Sequence, residues 1–169
     1  WDPELGMFSD VDPATGARTG VKAAVCFYPY LTDLIDERHV EGMGAHLFNP
    51  REFWTPFPVP SSSVDDPRFS PDARWKGKRH VCPWNGRVWP MTNSHLVDAL
   101  ARVVRTHRPE WAPRLVHLLR QFVRMMSFAG DAARPNCFEH YHPFSGRGSE
   151  YRGIDDYQHS WVNDLLARH

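Results

Sequence analysis

The residues best equipped for chemistry fall in one stretch, Arg134 to Trp161, which reads RPNCFEHYHPFSGRGSEYRGIDDYQHSW. Near its head Glu139 stands between Phe138 and His140, followed by Tyr141, His142 and Pro143. A positioned carboxylate bordered by rings can take a proton from water as a general base. The glycines and turn formers around it put it on a loop, and loops held by rigid flanks are where catalytic groups concentrate. A hydrolase that works by general acid and base needs a second carboxyl group, far enough from the first for a water to fit between the base and the bond that is cleaved. The plainer use of Glu139 is a surface ion pair. Asp155 and Asp156 read most simply as solvated charges ahead of a helix, and neither is expected to be the acid.

Other residues suggest how a substrate could be held. Trp84, Trp89 and Trp161 lie beside glycine or at loop ends, which suits a stacking platform for a sugar, although a tryptophan packs in a core as readily. Tyr141, Asn93 and Gln158 join them as candidate substrate contacts; the two amides can both donate to and accept from hydroxyls, and their ordinary use is in turns and caps. A different chemistry is available to Cys137, His140 and His142, with His159 further on, because three or four thiolate and imidazole ligands can hold zinc. Their spacing matches no strong zinc signature, and ten histidines make chance clustering common. No metal or cofactor is therefore expected.

Composition limits the rest. Twenty basic and twenty acidic residues cancel, so no basic stripe points to nucleic acid or a membrane surface. The 169 residues, 41% of them hydrophobic, suit about one domain with a packed core. Seven Trp, ten Phe and five Tyr serve that core or a ligand's apolar face, and fifteen Pro with eleven Gly imply much shaped loop. Three scattered cysteines, Cys26, Cys82 and Cys137, do not form a disulfide framework, which makes a reducing, cytoplasmic setting the expectation. No apolar run is long enough to span a bilayer.

Helices must position these groups. Apolar residues at three- and four-residue steps predict helices over 21–35, 37–47, 92–106 and 109–128, with another from 160 onward, capped by Ser160. Pro29 should kink the first or delay its start. Gly42 and Gly44 break the second, and the short join makes these first two helices antiparallel neighbours. Helices 92–106 and 109–128 form a second hairpin. Residues 1–20 read as a short hairpin or entry loop. Residues 48–90 show no period yet hold Phe53, Trp54, Phe57, Phe69, Trp75, Trp84 and Trp89, and so long a loop in a compact domain is usually functional. Helix pairs joined by long loops gathered at one end are the plan of an all-α (α/α)6 toroid.

Four segments carry a resemblance: GVKAAVCFYPYL, EFWTPFPVPSSSVDDPRF, WNGRVWPMTNSHLVDAL and EHYHPFSGRGSEYRGIDDYQHSWVNDLL. Together they resemble the C-terminal half of the catalytic domain of glycoside hydrolase family 63 and its bacterial relatives, the mannosylglycerate hydrolases and oligosaccharide α-glucosidases. The resemblance implies that residues 1–169 are part of an (α/α)6 toroid that cleaves α-glycosidic bonds with inversion, acting on a carbohydrate without a cofactor. It places the base in a Glu-x-Tyr-x-Pro pattern, here Glu139, Tyr141 and Pro143. The family's acid, an aspartate on an earlier helix, is expected upstream of Trp1. Asn85 stands where the family more often has Arg in a Trp-Arg-Gly turn. A toroid lacking its first hairpins would bare apolar faces, a condition for self-association. The alternatives are a zinc protein using Cys137, His140 and His142, or a carbohydrate-binding fragment without catalysis.

Overall fold

The computed structural model describes residues 1–127, 133 and 138–149. Its framework is a 3-10 helix, Ala24–Leu31, followed by the α-helices α1 (Glu37–Leu47), α2 (Pro90–Thr106) and α3 (Ala112–Met125). A small antiparallel hairpin pairs β1 (Arg74–Trp75) with β2 (Lys78–Arg79). The helix expected from residue 160 lies outside the described residues.

The first predicted helix, 21–35, is shortened and tightened to the 3-10 turn at Ala24–Leu31. Pro29 supplies one reason, since it cannot donate to the carbonyl four residues back and its ring crowds that carbonyl. The other is tertiary. Lys22 and Ala23 are drawn into extended pairing with the 61–63 segment, where Ala24 N donates to Ser61 O (3.0 Å) and Ser63 N to Lys22 O (3.0 Å). The 3-10 helix then packs mainly against α2 and only secondarily on α1, so the expected first helical hairpin is not the organising contact.

Helix α1 keeps the predicted bounds, but its glycines do not break it. Asp36 caps the helix by accepting from His39 N, while His39 Nδ1 accepts from Asp36 N, a reciprocal box that fixes the start. Gly42 and Gly44 are present because neighbours approach closely. A Cβ on Gly42 would stand 2.3 Å from Gly6 O, and one on Gly44 would stand 2.8 Å from the Trp111 ring. Their helix cost is offset by the packing that only a bare backbone admits.

Helix α2 begins two residues before the predicted 92, with Pro90 in its first turn, where a missing N–H costs nothing. It is the central element. Leu96, Val97, Ala99, Leu100 and Val103 are all buried, facing Phe27 and Tyr30 of the 3-10 helix and Leu118 and Phe122 of α3 within one apolar cluster. Each such aliphatic side chain contributes about 1.5–3 kcal/mol by leaving water. The predicted helix at 109–128 divides into a 3-10 turn, Pro109–Trp111, and α3. Arg102 reaches Asp33, and Arg108 reaches Glu37, tying the connection after the 3-10 helix and the start of α1 to the helical hairpin.

The 48–90 loop is anchored by Phe53, Val59 and Val88, each fully buried. Buried charge also holds it. Glu52 accepts from Lys22 Nζ (3.1 Å) and Asn49 Nδ2 (3.2 Å) and meets His46 Nδ1 at 2.6 Å, while His46 Nε2 lies 2.9 Å from Leu5 O. The β1–β2 turn places Lys76 and Gly77 at φ +48° and +77°, the backbone a two-residue hairpin requires.

Candidate functional site

Single-residue bridges, rather than a sheet, assemble the loops. Pro60 pairs with Val88, Val88 with Tyr141, and Tyr141 with Gly148. Val88 and Tyr141 exchange both backbone bonds, at 2.9 and 2.8 Å, and Ser61 N donates to Arg87 O at 2.8 Å. The turn after Tyr141 is closed by Gly146 N donating to His142 O, with Gly146 at φ +69°. The Phe57 ring occupies the place a side chain at 146 would need, 2.7 Å from an ideal Cβ. Glu139, half-buried, is thus held two residues ahead of a bridge at Tyr141 that is itself locked to the helical core through Val88.

On one side of this staple lies an aromatic pocket of about 370 Å³. The Trp84 and Trp89 rings stack with centroids 4.2 Å apart and planes 4° from parallel. Trp89 is buried, its indole N–H donating to Pro83 O, whereas Trp84 is 45% exposed and forms the pocket wall with Trp75. The polar lining includes Ser62, Asp66 and Arg68. Arg68 grips Asp66 through two guanidinium nitrogens at 3.0 and 2.8 Å, and that ion pair holds the Asp66 carboxyl below its ordinary range. Asn85 donates to Arg68 O and Arg74 O, so where the family pattern more often has Arg this side chain holds together the pocket wall.

A second, larger cavity, about 520 Å³, has a lining that includes Arg74, Arg79, Arg87 and Arg147. Arg87 and His140 both line it. Arg87 Nε donates to His140 Nδ1 at 3.1 Å, and the His140 ring also meets that of Trp89, centroids 5.1 Å apart. Burial and the adjacent guanidinium push the His140 pKa down to about 4, so the ring is neutral near pH 7. His142 is lowered for the same two reasons, with Asp72 opposing them. Its Nδ1 accepts from Phe144 N and Ser145 N, which assigns the proton to Nε2, 3.6 Å from Asp72.

Trp84, Trp89, Asn93 and Tyr141, singled out in the sequence, come together here, but they do not share one surface. Tyr141 is fully buried with its hydroxyl accepting from Phe138 N, and Asn93 donates to Val59 O and Trp89 O while accepting from Val59 N. Against the expectation that they contact substrate, both are fully buried and lie outside the linings of the two cavities. Trp89 supports Trp84 from behind. Glu139 lies outside both cavity linings, one residue from His140 and two from Tyr141. Gln158 and Trp161 lie outside the described residues, as do Cys137, His159, Glu150, Asp155 and Asp156. Of the suggested zinc ligands, His140 already accepts from a guanidinium, whose charge opposes a cation at that ring. Sequence reasoning missed Asp66, Arg68, Trp75 and Arg87. The Asp-x-Arg spacing at 66–68 and the Arg inside WNGRVW were the available signals.

Residues 1–160 match the family model described as mannosylglycerate hydrolase MGH1-like glycoside hydrolase domain. An uncharacterized protein of Borreliella burgdorferi is 33% identical over 140 residues, 80% of this chain and 28% of that protein. The chain thus spans less than a third of its Borreliella relative. A solved sialidase aligns over 99% of this chain and 15% of its own, at 20% identity and a TM-score of 0.80. The GH63 mannosylglycerate hydrolase from Thermus thermophilus in complex with glucose aligns over all of this chain and 36% of its own, at 20% identity and a TM-score of 0.72. The structural likenesses establish a shared, mostly helical fold. On the family match across nearly its whole length, the chain belongs to the mannosylglycerate hydrolase MGH1-like family of glycoside hydrolases.

Proposed function

We propose that the chain is the part of an (α/α)6 catalytic domain that carries the general base of an inverting α-glycosidase, with Glu139 taking the proton of the attacking water. The observation that carries this reading is the Glu139-x-Tyr141-x-Pro143 segment pinned by the Val88–Tyr141 bridge beside the stacked Trp84–Trp89 pair. A base acts only if its position is fixed, and here the backbone two residues on is locked to the core while His140 is wedged between Trp89 and Arg87. Trp84 offers a flat apolar face to a pyranose, and Asp66, Arg68 and Ser62 offer polar groups to its hydroxyls, the ordinary make-up of a ligand pocket. The substrate class is an α-glucoside, an oligosaccharide or a mannosylglycerate-type glycoside. The T. thermophilus enzyme, with its glucose and glycerate complexes, supports that range.

Hydrolysis of α-glucosides and of mannosylglycerate is the test, in the full-length protein, its Glu139→Gln variant and residues 1–169 alone. The amide keeps the shape but cannot accept the proton, so kcat should fall by about 10²–10⁴ with the circular dichroism spectrum unchanged. Residues 1–169 alone should be inactive, because the leaving oxygen also needs an acid. Near-normal turnover in the variant would remove Glu139 from the mechanism. Turnover by residues 1–169 would return attention to Glu150, Asp155 and Asp156 as the acid.

A further inference from the structure

The three consecutive serines at 61–63 are used unequally. Ser61 Oγ accepts from Gly86 N at 3.0 Å, and Ser63 Oγ donates to Asp65 Oδ1 at 2.6 Å. Ser62 lies between them, 7% exposed in the lining of the aromatic pocket, and among the described residues its buried hydroxyl has no hydrogen-bond partner. We propose that Ser62 is the specificity-determining contact of this pocket, its hydroxyl pairing with one ring hydroxyl of an uncharged sugar that stacks on Trp84. The assignment rests on the reading of the pocket as the seat of the glycoside.

A buried hydroxyl without a partner has given up water and gained nothing in return, and native proteins keep few such groups. The fold has no use for this one. The backbone of Ser62 makes the bridge to Ala23, a contact indifferent to the hydroxyl. A ligand oxygen that pairs with the hydroxyl removes the cost on binding. A site built this way favours a sugar with a hydroxyl at that place and rejects one that lacks it, because the protein group is then left unpaired.

The neighbouring side chains set the class of ligand. Arg68 already holds the Asp66 carboxylate through two nitrogens, so a charged ligand would have to break that pair to gain a partner of its own. Both amide hydrogens of Asn85 go to backbone carbonyls, of Arg68 and Arg74. Trp84 is 45% exposed and backed by the parallel Trp89 ring, and its indole N–H donates to Cys82 Sγ at 3.2 Å, which fixes the orientation of the ring. An oriented flat apolar face beside one unsatisfied hydroxyl suits a neutral pyranose, which has a C–H face and hydroxyls at its edge.

Isothermal titration calorimetry tests this with glucose, mannose, their monodeoxy derivatives, glucuronate and glucose 6-phosphate, none of which carries a glycosidic bond to be cleaved. The proteins are the full-length wild type and its Ser62→Ala and Trp84→Ala variants. Ser62→Ala should weaken binding of the better neutral sugar about threefold to tenfold, the effect of one hydrogen bond, while its urea midpoint stays level or rises because no internal partner is lost. One monodeoxy derivative should bind the wild type and Ser62→Ala alike, and the two charged sugars should bind the wild type about tenfold more weakly than the neutral one. Unchanged affinity in Ser62→Ala, a loss matched by lower stability, no monodeoxy derivative that abolishes the difference, parity of the charged sugars, or no binding of either neutral sugar would each overturn the assignment. Trp84→Ala separates the two readings. Affinity lost with Trp84 but kept in Ser62→Ala overturns the role of Ser62 alone, whereas affinity kept in both variants removes the pocket as the sugar's seat. The readout does not involve hydrolysis, so it is independent of the part assigned to Glu139.

Discussion

Of the two cavities, one presents the exposed indoles of Trp75 and Trp84 with a neutralised Asp66–Arg68 pair, and the other is lined by Arg74, Arg79, Arg87 and Arg147 together with Asp72, His140 and His142. Both draw on the same short segment, Trp84 to Trp89, and on the bridge it makes with Tyr141. In the first, opposite charges are matched within the protein, so what remains to offer a ligand is flat apolar surface and hydroxyl-sized polar groups. In the second, Arg87 is held in place by backbone carbonyls, of Pro71 and Arg147, and by the His140 ring. Proximity along the chain therefore says little about what a pocket binds; the pairing of charges behind its surface decides it.

Removing Arg87 should have the largest effect. Arg87→Met removes three donations, to His140, Pro71 O and Arg147 O, and leaves buried acceptors without their donor. We expect a loss of about 3 kcal/mol or more in urea unfolding. A variant as stable as the wild type would show that Arg87 does not hold His140 and the two loop carbonyls in place.

The next effect sharpens the contrast through pH. The folded-state pKa of His140, about 4, lies below the ordinary 6.5, so between these values the unfolded chain binds the extra proton and stability rises with pH. Stability should therefore be complete above pH 6.5 and be lost progressively as pH falls towards 4, by about 2–3 kcal/mol from this group. The slope of unfolding free energy against pH, compared between wild type and His140→Gln, isolates it from His39 and His142, which are lowered in the same direction. Equal slopes would mean that the ring is not buried beside the guanidinium.

The smallest effect should separate the cavities cleanly. Trp84→Ala removes an exposed stacking face while Trp89 stays packed, so stability should change by less than about 1 kcal/mol and KM for a glycoside should rise about threefold to tenfold. An unchanged KM would mean that the aromatic pocket does not hold the glycoside.

The helices are readable because their signal is local. Val40, Met43 and Leu47, and Leu96, Leu100 and Val103, recur at helical spacing, and the buried faces are these residues. The first helix departs from its expected form because Pro29 and the pairing of Ala23 with Ser62 compete with an apolar period that by itself reads as α. Gly42 and Gly44 mislead in the opposite direction. Their reason is Gly6, Trp1 and Trp111, residues too far along the chain for a pattern to reveal.

For the site, residue type alone separates Glu139 and the tryptophans from their surroundings, and a short pattern, Glu-x-Tyr-x-Pro, ties them to a family. Residue type could not say that Tyr141 and Asn93 face inward, that Trp89 supports Trp84, or that Arg87 meets His140 across 53 positions of sequence. Those outcomes depend on which backbone groups find partners when separate loops are brought over one helix. The sequence by itself determined the helical periods and the chemical candidates, since both are properties of neighbours along the chain. Burial, charge pairing and the division into an aromatic and a cationic pocket were decided only in the tertiary structure, because each is set by contacts between residues that the chain keeps far apart.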